Sequence, residues 1–221
     1  MLLDMHLHTR EGSPDSALPV REAIARAKEM GLGGLCVTDH DSWALAPQAD
    51  ALAREHGFPI FVGVEVLTSS GDFVVFGVGP FAYVPGLLRA EDLMERVRLC
   101  GGAAVAAHPY RDNGRGAGRL IETLPGLTGV ECFNGSTDAR ANMRALRGAR
   151  ERGLPCLGAS DAHLAERVGL FATRFEGEPR DVRELIARIR AGACTPVAWD
   201  GASFVPAEAW TERQLERTRG T

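Results

Sequence analysis

An α/β domain built from strand–helix units is the fold class this sequence predicts, and three observations carry the prediction. Short apolar runs of strand length alternate with stretches whose apolar residues recur at helical spacing, and glycine or proline punctuates the joints. Five of the six histidines (His6, His8, His40, His108 and His163) close or follow those apolar runs, and His56 alone lacks that context. At 221 residues, with 45% hydrophobic and 24% charged residues, the chain is ample for one well-buried domain and short for two.

The elements follow in order. Leu2 to His8 alternates with period two, which sends Asp4, His6 and His8 to one face of a strand and Leu3, Met5 and Leu7 to the other. Two imidazoles on one strand face can grip one metal ion, although a chance pair of hydrogen-bonded histidines is the plain alternative for one His-x-His taken alone. A turn-rich loop, Thr9 to Ser16, leads to Pro19 at a helix start, with Val20, Ala23, Ile24 and Ala27 at helical spacing and Gly31 at the end. Leu32 to Val37 reads as a buried strand delivering Thr38-Asp39-His40-Asp41, and a helix is expected from about Trp43 to His56 with Gly57 as its cap. Pro59 to Val66 is the third strand, and its Glu65 is a carboxylate at the end of an apolar run, where a structural residue would more often be Val or Ile.

A hairpin-like return from Asp72 to Val78 precedes a Pro- and Gly-containing loop and an amphipathic helix from about Ala90 to Leu99. Gly101-Gly102 opens the strand that carries His108. The loop from Pro109 to Arg119 holds three arginines among turn formers. It reads either as a solvated flexible loop or as a mobile anion clamp, with Arg111 the best candidate because a guanidinium fork matches phosphate oxygens. Leu127 to Phe133 is a strand leading into Asn134-Gly135, and Asp138 to Arg152 is a helix. Pro155 to Ser160 is a strand bearing Asp161 and His163, Asp181 to Ala191 a helix, and Thr195 to Trp199 a short strand. The domain is expected to span residues 1–205, and residues 206–221 to form a polar, loosely held tail.

Composition excludes several classes. A net charge of −4 shows no basic surplus of the kind a stand-alone nucleic-acid binder carries, so a nucleic-acid polymer is not the expected partner. No apolar run approaches a membrane span, and no charged and apolar leader pattern precedes the first strand. The five cysteines have no Cys-x-x-Cys spacing and read as reduced thiols. A soluble, cytoplasmic protein is expected.

In strand–helix folds the carboxyl ends of the strands form the active-site rim, where His6, His8, His40, Glu65, His108, Asp161 and His163 would all lie. Imidazoles and carboxylates suit Zn, Mn or Fe, and seven such groups exceed what one ion needs. Two ions about 3.5–4 Å apart can hold a hydroxide between them, lower its pKa toward about 7 and clamp a phosphoryl group, so phosphoester hydrolysis is the natural inference.

The motifs Asp4-x-His6-x-His8, Thr38-Asp39-His40-Asp41, Gly63-Val64-Glu65, Ala107-His108-Pro109 and Ser160-Asp161-Ala162-His163, in this order, resemble the series of the PHP family, the polymerase and histidinol phosphatase domains. The resemblance spans residues 4 to 163. It implies a distorted (β/α)7 barrel holding two or three divalent ions for phosphoester hydrolysis. Carried over by position, His6, His8, Glu65 and Asp161 would hold the first ion and Glu65 and His108 the second. His40 and His163 would hold the third, with Asp15 or Glu11 from the loop after His8. Family members often add a histidine to the second ion from the region after the glutamate strand. Residues 66 to 107 contain none, so that ion is expected to be loosely held or missing.

Glu131 and Asn134 resemble a recurrent Glu-x-x-Asn pattern placed beside the ligands or at the substrate. Asp4 and Asp39 would orient histidines. Asp161 and His163 are the expected catalytic groups, with Arg111 as phosphate anchor. The expected activity is hydrolysis of a small phosphorylated metabolite through a metal-bridging hydroxide. Histidinol-phosphate phosphatase, a metal-bearing accessory or regulatory domain like those of DNA polymerases, and an amidohydrolase are the alternatives.

Overall fold

Seven strands lie side by side in chain order: β1 (Leu2–Leu7), β2 (Gly34–Val37), β3 (Ile60–Thr68), β4 (Gly71–Phe76), β5 (Ala103–Ala106), β6 (Gly129–Asn134) and β7 (Cys156–Ala159). In this computed structural model, which describes residues 1–219, β8 (Phe171–Phe175), β9 (Cys194–Trp199) and β10 (Phe204–Pro206) extend the same sheet beyond β1 in antiparallel fashion. The helices are α1 (Val20–Glu29), α2 (Ala49–His56), α3 (Ala90–Cys100), α4 (Ala139–Glu151), α5 (Val182–Arg190) and α6 (Ala207–Arg219).

The β1–β2–β3 and β5–β6–β7 pairs are parallel, whereas β4 runs antiparallel to both neighbours. Only Ser69 and Ser70 separate β3 from β4, far too few residues for the crossover a parallel pair requires, so the chain must fold back as a hairpin. The sheet curls until the end of β7 reaches β1. There the Asp161 amide donates to the His6 carbonyl at 2.8 Å and the His8 amide to the Ala162 carbonyl at 2.9 Å. Lower down, the Thr173 hydroxyl bonds both the amide and the carbonyl of Gly158. This is the distorted seven-stranded barrel expected, with one hairpin replacing a strand–helix unit.

The barrel interior is apolar, with Leu3, Met5, Phe61, Val74, Phe76 and Val105 packed with Leu185, Ile186 and Ile189 of α5. Ile186 lies against Gly77, just after β4, and Arg190 reaches the Gly102 carbonyl, just before β5, so α5 stops the end opposite the histidines. A Cβ on Gly63 would sit 2.7 Å from the Val75 carbonyl, which explains a glycine inside β3.

Four expectations are corrected. The alternation in β1 is broken by a register shift between Asp4 and Leu7: Leu3 and Met5 pack inside the barrel, while Leu7 packs outside with Leu18 and Ile24. The helix expected from Trp43 begins at Ala49. Continuing it from Trp43 would need an N–H on Pro47, so that stretch forms a 3-10 turn and Trp43 instead donates to the Val78 carbonyl at 2.8 Å. The loop from Pro109 to Arg119 is tied down, with Gly118 N bonding the Pro109 carbonyl at 2.7 Å and Asp72 N bonding the Arg115 carbonyl at 2.8 Å. Finally, residues 207–219 of the expected loose tail form α6. Ala207 and Thr211 are buried, Trp210 stands edge-on to Phe171 at 5.3 Å, and Glu208 pairs with Arg150 at 2.7 Å. Residues 220 and 221 of that tail lie outside the described residues.

Candidate metal centre

The rim opposite α5 brings the ends of seven strands together. His6 lies in β1 and His8 just after it, His40 follows β2, Glu65 lies in β3, His108 follows β5, Glu131 lies in β6 and Asn134 ends it, and Asp161 and His163 follow β7. Asp72 joins them from the start of β4. Most of these side chains are buried, with His8, Glu65 and Asp72 fully so. His108 (φ 29°) and Asp161 (φ 53°) hold a backbone conformation costly for residues with a Cβ, and such strain accumulates where a side chain must be aimed.

The donor atoms of His6, His8 and Asp161 gather at one point, and Glu65 Oε2 lies beside the two imidazoles. His6 Nε2 lies 2.9 Å from His8 Nε2, 3.4 Å from Glu65 Oε2 and 3.7 Å from Asp161 Oδ1. His8 Nε2 lies 3.3 Å and 3.2 Å from the same two oxygens. Ligands about 2.0–2.1 Å from a tetrahedral ion stand roughly 3.3 Å apart, which these spacings bracket. The other ring nitrogens are engaged elsewhere: His6 Nδ1 is 3.1 Å from Glu131 Oε1, and His8 Nδ1 is 3.2 Å from the Ser13 hydroxyl. Those partners fix the tautomers that leave both Nε2 lone pairs free for a cation.

Two further groups flank this one. His8, His40 and His163 present nitrogens to one another, and Asp15 Oδ2 lies 3.3 Å from His40 Nε2 and 3.5 Å from His163 Nε2. Glu11 is elsewhere, accepting the Val20 amide at the start of α1 at 3.1 Å. On the other side Glu65, Asp72 and His108 gather, with His108 Nε2 at 2.8 Å from Glu65 Oε1 and 3.8 Å from Asp72 Oδ2. Asp72 went unnoticed in the sequence, and it supplies a third group at a position where only two were expected.

The electrostatics fit a cationic occupant. Burial opposes charge throughout, yet Glu65, Glu131 and Asp161 hold the His6 imidazolium well above its usual range. Glu65 and Asp161 are in turn held well below the carboxylate range despite burial, chiefly by His6. Burial pushes His8 down to about 4, and burial with the neighbouring Glu65 raises Asp72 to about 6. Glu65 Oε2 is buried among the imidazoles of His6, His8 and His40, with His40 Nδ1 at 2.8 Å, and His108 Nδ1 is buried with no hydrogen-bond partner among the described residues. Protons alone cannot serve so many acceptors at once, whereas divalent ions would satisfy them together.

The supporting residues hold the geometry. Glu131 Oε2 accepts the His108 amide at 2.7 Å and the Asn134 amide at 3.0 Å, so one carboxylate braces His6 and His108. Asp39 was expected to orient a histidine; it instead gathers the loop after β1, accepting Thr9 N, the Thr9 hydroxyl at 2.9 Å and the Ser13 hydroxyl at 2.9 Å. Its link to His8 runs through Ser13. Asp4 likewise accepts the amides of Ser160 and Gly169, both at 2.9 Å, and so fixes the strand end before Asp161. Arg111 donates to Asp161, to Asn134 Oδ1 at 2.6 Å and to the Thr137 hydroxyl at 3.1 Å. Its Nη1 group has no partner among the described residues.

Residues 4–113 match the model of the PHP domain and residues 139–194 that of the PHP-associated region. An uncharacterized protein of Methanocaldococcus jannaschii, MJ1587, is 30% identical over 143 residues, covering 61% of this chain and 82% of that one. The 3',5'-nucleoside bisphosphate phosphatase of Chromobacterium violaceum is 36% identical over 112 residues, 48% of this chain and 39% of that one. Among solved structures, PsfC from Pseudomonas syringae PB-5123 superposes with a TM-score of 0.69 at 18% identity, covering 99% of this chain and 98% of its own. With its motifs, its barrel and its matched length all in agreement, the chain belongs to the PHP domain family.

Proposed function

We propose that this protein is a metal-dependent phosphoesterase acting on a small phosphorylated metabolite. The observation that carries the reading is the gathering of His6, His8 and Asp161, with Glu65 Oε2 at 3.4 Å and 3.3 Å from the two imidazoles and two further ligand groups alongside. Divalent ions bound there would make water a nucleophile near neutral pH and stabilise charge on the phosphoryl oxygens.

The chain's own residues supply the rest. Glu131 keeps His6 Nδ1 protonated and so holds Nε2 as a donor, and the Ser13 hydroxyl does the same for His8. Arg111, anchored through Nε and Nη2, turns its Nη1 group to the phosphate and fixes its orientation before attack. With no ion at the His40–His163–Asp15 position, His163, on the half-exposed side, is the residue through which a proton can reach the leaving oxygen.

The relative described as a nucleoside bisphosphate phosphatase supports a small phosphorylated substrate, and the net charge of −4 weighs against a polymer. No helix among the described residues is long and apolar enough to cross a membrane.

The test is a screen of chelated and metal-reconstituted protein against phosphomonoesters, a nucleoside 3',5'-bisphosphate, histidinol phosphate, phosphodiesters and an oligonucleotide. Phosphate release from a small ester, lost on chelation and restored by Zn, Mn or Fe, is expected. Full activity after exhaustive demetallation would defeat the reading, and cleavage of the oligonucleotide alone would move the substrate class to nucleic acid.

A further inference from the structure

The three ligand groups differ in chemistry. His8, His40 and His163 offer only imidazole nitrogen, with Asp15 facing two of them, and His6, His8 and Asp161 offer two nitrogens and one oxygen. Glu65, Asp72 and His108 reverse the balance, with two carboxylates and one imidazole. Imidazole-rich sites suit Zn²⁺, whereas carboxylate oxygen suits Mn²⁺ and Mg²⁺.

Asp72 is also the only one of these carboxylates gripped by the second arginine of the loop. Arg115 Nε lies 2.6 Å from Asp72 Oδ2 and its Nη2 3.3 Å from Oδ1, while the same Nη2 is 3.2 Å from His40 Nδ1. The pair is rigidly built. The Arg115 carbonyl accepts the Asp72 amide, the Asp72 carbonyl accepts the Ala107 amide, and a Cβ on Gly71 would meet Ala117 N at 2.5 Å. Arg115 therefore faces the Glu65–Asp72–His108 group from a fixed seat, as a permanent positive charge.

We infer that Asp72 is a metal ligand and makes the Glu65–Asp72–His108 position selective for a hard divalent ion, Mn²⁺ or Mg²⁺, and that the Arg115 charge weakens that position's hold on any ion. The inference rests on the reading of the rim as a metal centre. Two carboxylates raise the preference for oxygen-seeking ions relative to a site with a second imidazole. Arg115 already balances one of the two negative charges, so the net attraction for a dication falls, and the position fills last and empties first.

The experiment measures binding and needs no turnover. The full chain is titrated with Mn²⁺ by electron paramagnetic resonance and, in parallel, with buffered Zn²⁺, for wild type, Asp72→His, Asp72→Asn and Arg115→Met. Circular dichroism and unfolding curves accompany each variant, and any variant that fails to fold is replaced in the comparison by the other Asp72 substitution. Asp72→His should shift the ratio of Mn²⁺ to Zn²⁺ affinity at the weakest position at least tenfold toward Zn²⁺. Asp72→Asn should weaken Mn²⁺ at least tenfold, and Arg115→Met should tighten both ions severalfold. An unchanged ratio in Asp72→His, or unchanged Mn²⁺ binding in Asp72→Asn, would overturn the assignment of Asp72, and weaker binding in Arg115→Met would overturn the role given to Arg115. If wild type binds no divalent ion at all, the metal-centre reading itself falls; if it binds ions and hydrolyses phosphoesters while the Asp72 variants bind as wild type, only this inference does.

Discussion

Removing the Asp39 carboxylate should unfasten the loop that carries Asp15, and the size of the effect follows from its contacts. Asp39 accepts Thr9 N at 2.5 Å and the hydroxyls of Thr9 and Ser13 at 2.9 Å each, and Thr9 and Ser13 are buried. A buried donor left without an acceptor costs about 1–3 kcal/mol. Thr9 N has nowhere else to turn and bears that cost in full, and the Ser13 hydroxyl also loses its acceptor, because its other partners, His8 Nδ1 and His40 N, donate to it. Burial raises the Asp39 pKa, so its ionised form already carries a penalty that the substitution relieves. The net expectation for Asp39→Ala is about 2–4 kcal/mol, concentrated in residues 9–16. Asp39→Asn can keep an oxygen toward Thr9 N and offer N–H to the Thr9 hydroxyl, so it should recover most of the loss. Gly12→Ala tests the same clamp from outside, because a Cβ there would fall 2.3 Å from Asp39 Oδ2. Hydrogen exchange across residues 9–16, denaturant unfolding and a count of bound ions per chain measure the result. Wild-type exchange and a wild-type ion count in Asp39→Ala would refute the claim that this carboxylate holds Asp15 at the centre.

Arg111→Ala should raise KM for a phosphomonoester about tenfold or more and lower kcat less, since an anchor acts on holding and orientation; steady-state kinetics checks this, and an unchanged KM would remove Arg111 from substrate binding. Trp210→Ala should cost about 1–3 kcal/mol in denaturant unfolding, because the half-buried ring packs on Phe171 and ties α6 to the sheet, and a loss under about 0.5 kcal/mol would show that α6 contributes little. Burial raises Asp4 to about 6 from 3.8. A raised folded-state value means stability is fully present below about pH 4 and is lost as pH rises toward about 6, by at most about 3 kcal/mol at 1.36 kcal/mol per pKa unit. Unfolding free energies from pH 4 to 7, wild type minus Asp4→Asn, should fall over that window, and a flat difference would show that Asp4 keeps its ordinary acidity in the fold.

The strand-end histidines and carboxylates of the rim were legible in the sequence for a geometric reason. Parallel strands all point the same way, so the residue after each apolar run arrives at the same rim, and His8, His40, His108 and Asp161 could be picked by that rule alone. Asp72 escaped because β4 runs the other way. In an antiparallel strand the rim is reached by the first residue, so the polar group precedes its apolar run, Phe73 to Phe76, and looks like part of a turn. A tight turn after a ligand-bearing strand should therefore direct attention to the residue that opens the next run. The same limit hid Arg115, whose partner lies 43 positions back in sequence and becomes a neighbour only because the hairpin sets the start of β4 against the loop after β5.

Local pattern also failed where the backbone slips. In β1 and in β6 the register shifts beside a rim residue, between Asp4 and Leu7 and between Glu131 and Phe133. Strict alternation would have put Asp4 on the face of His6 and His8, whereas the shift leaves it bonding Ser160 N and Gly169 N, where it braces the strand end that carries Asp161. In β6 the shift lets Cys132 and Phe133 both join the outer core while Glu131 and Asn134 both bond at the rim. A periodicity argument cannot see an inserted residue, because what fixes the slip is the pairing of neighbouring strands and the demand of the centre for particular side chains. The α6 helix was missed by a related route. Its sequence is polar overall, and only a narrow face, with Ala207, Trp210 and Thr211, meets the domain. Three residues at i, i+3 and i+4 suffice to dock a helix that the sheet edge and α4 already wait to receive, and they are too few to lift an apolar signal above thirteen mostly charged and polar positions.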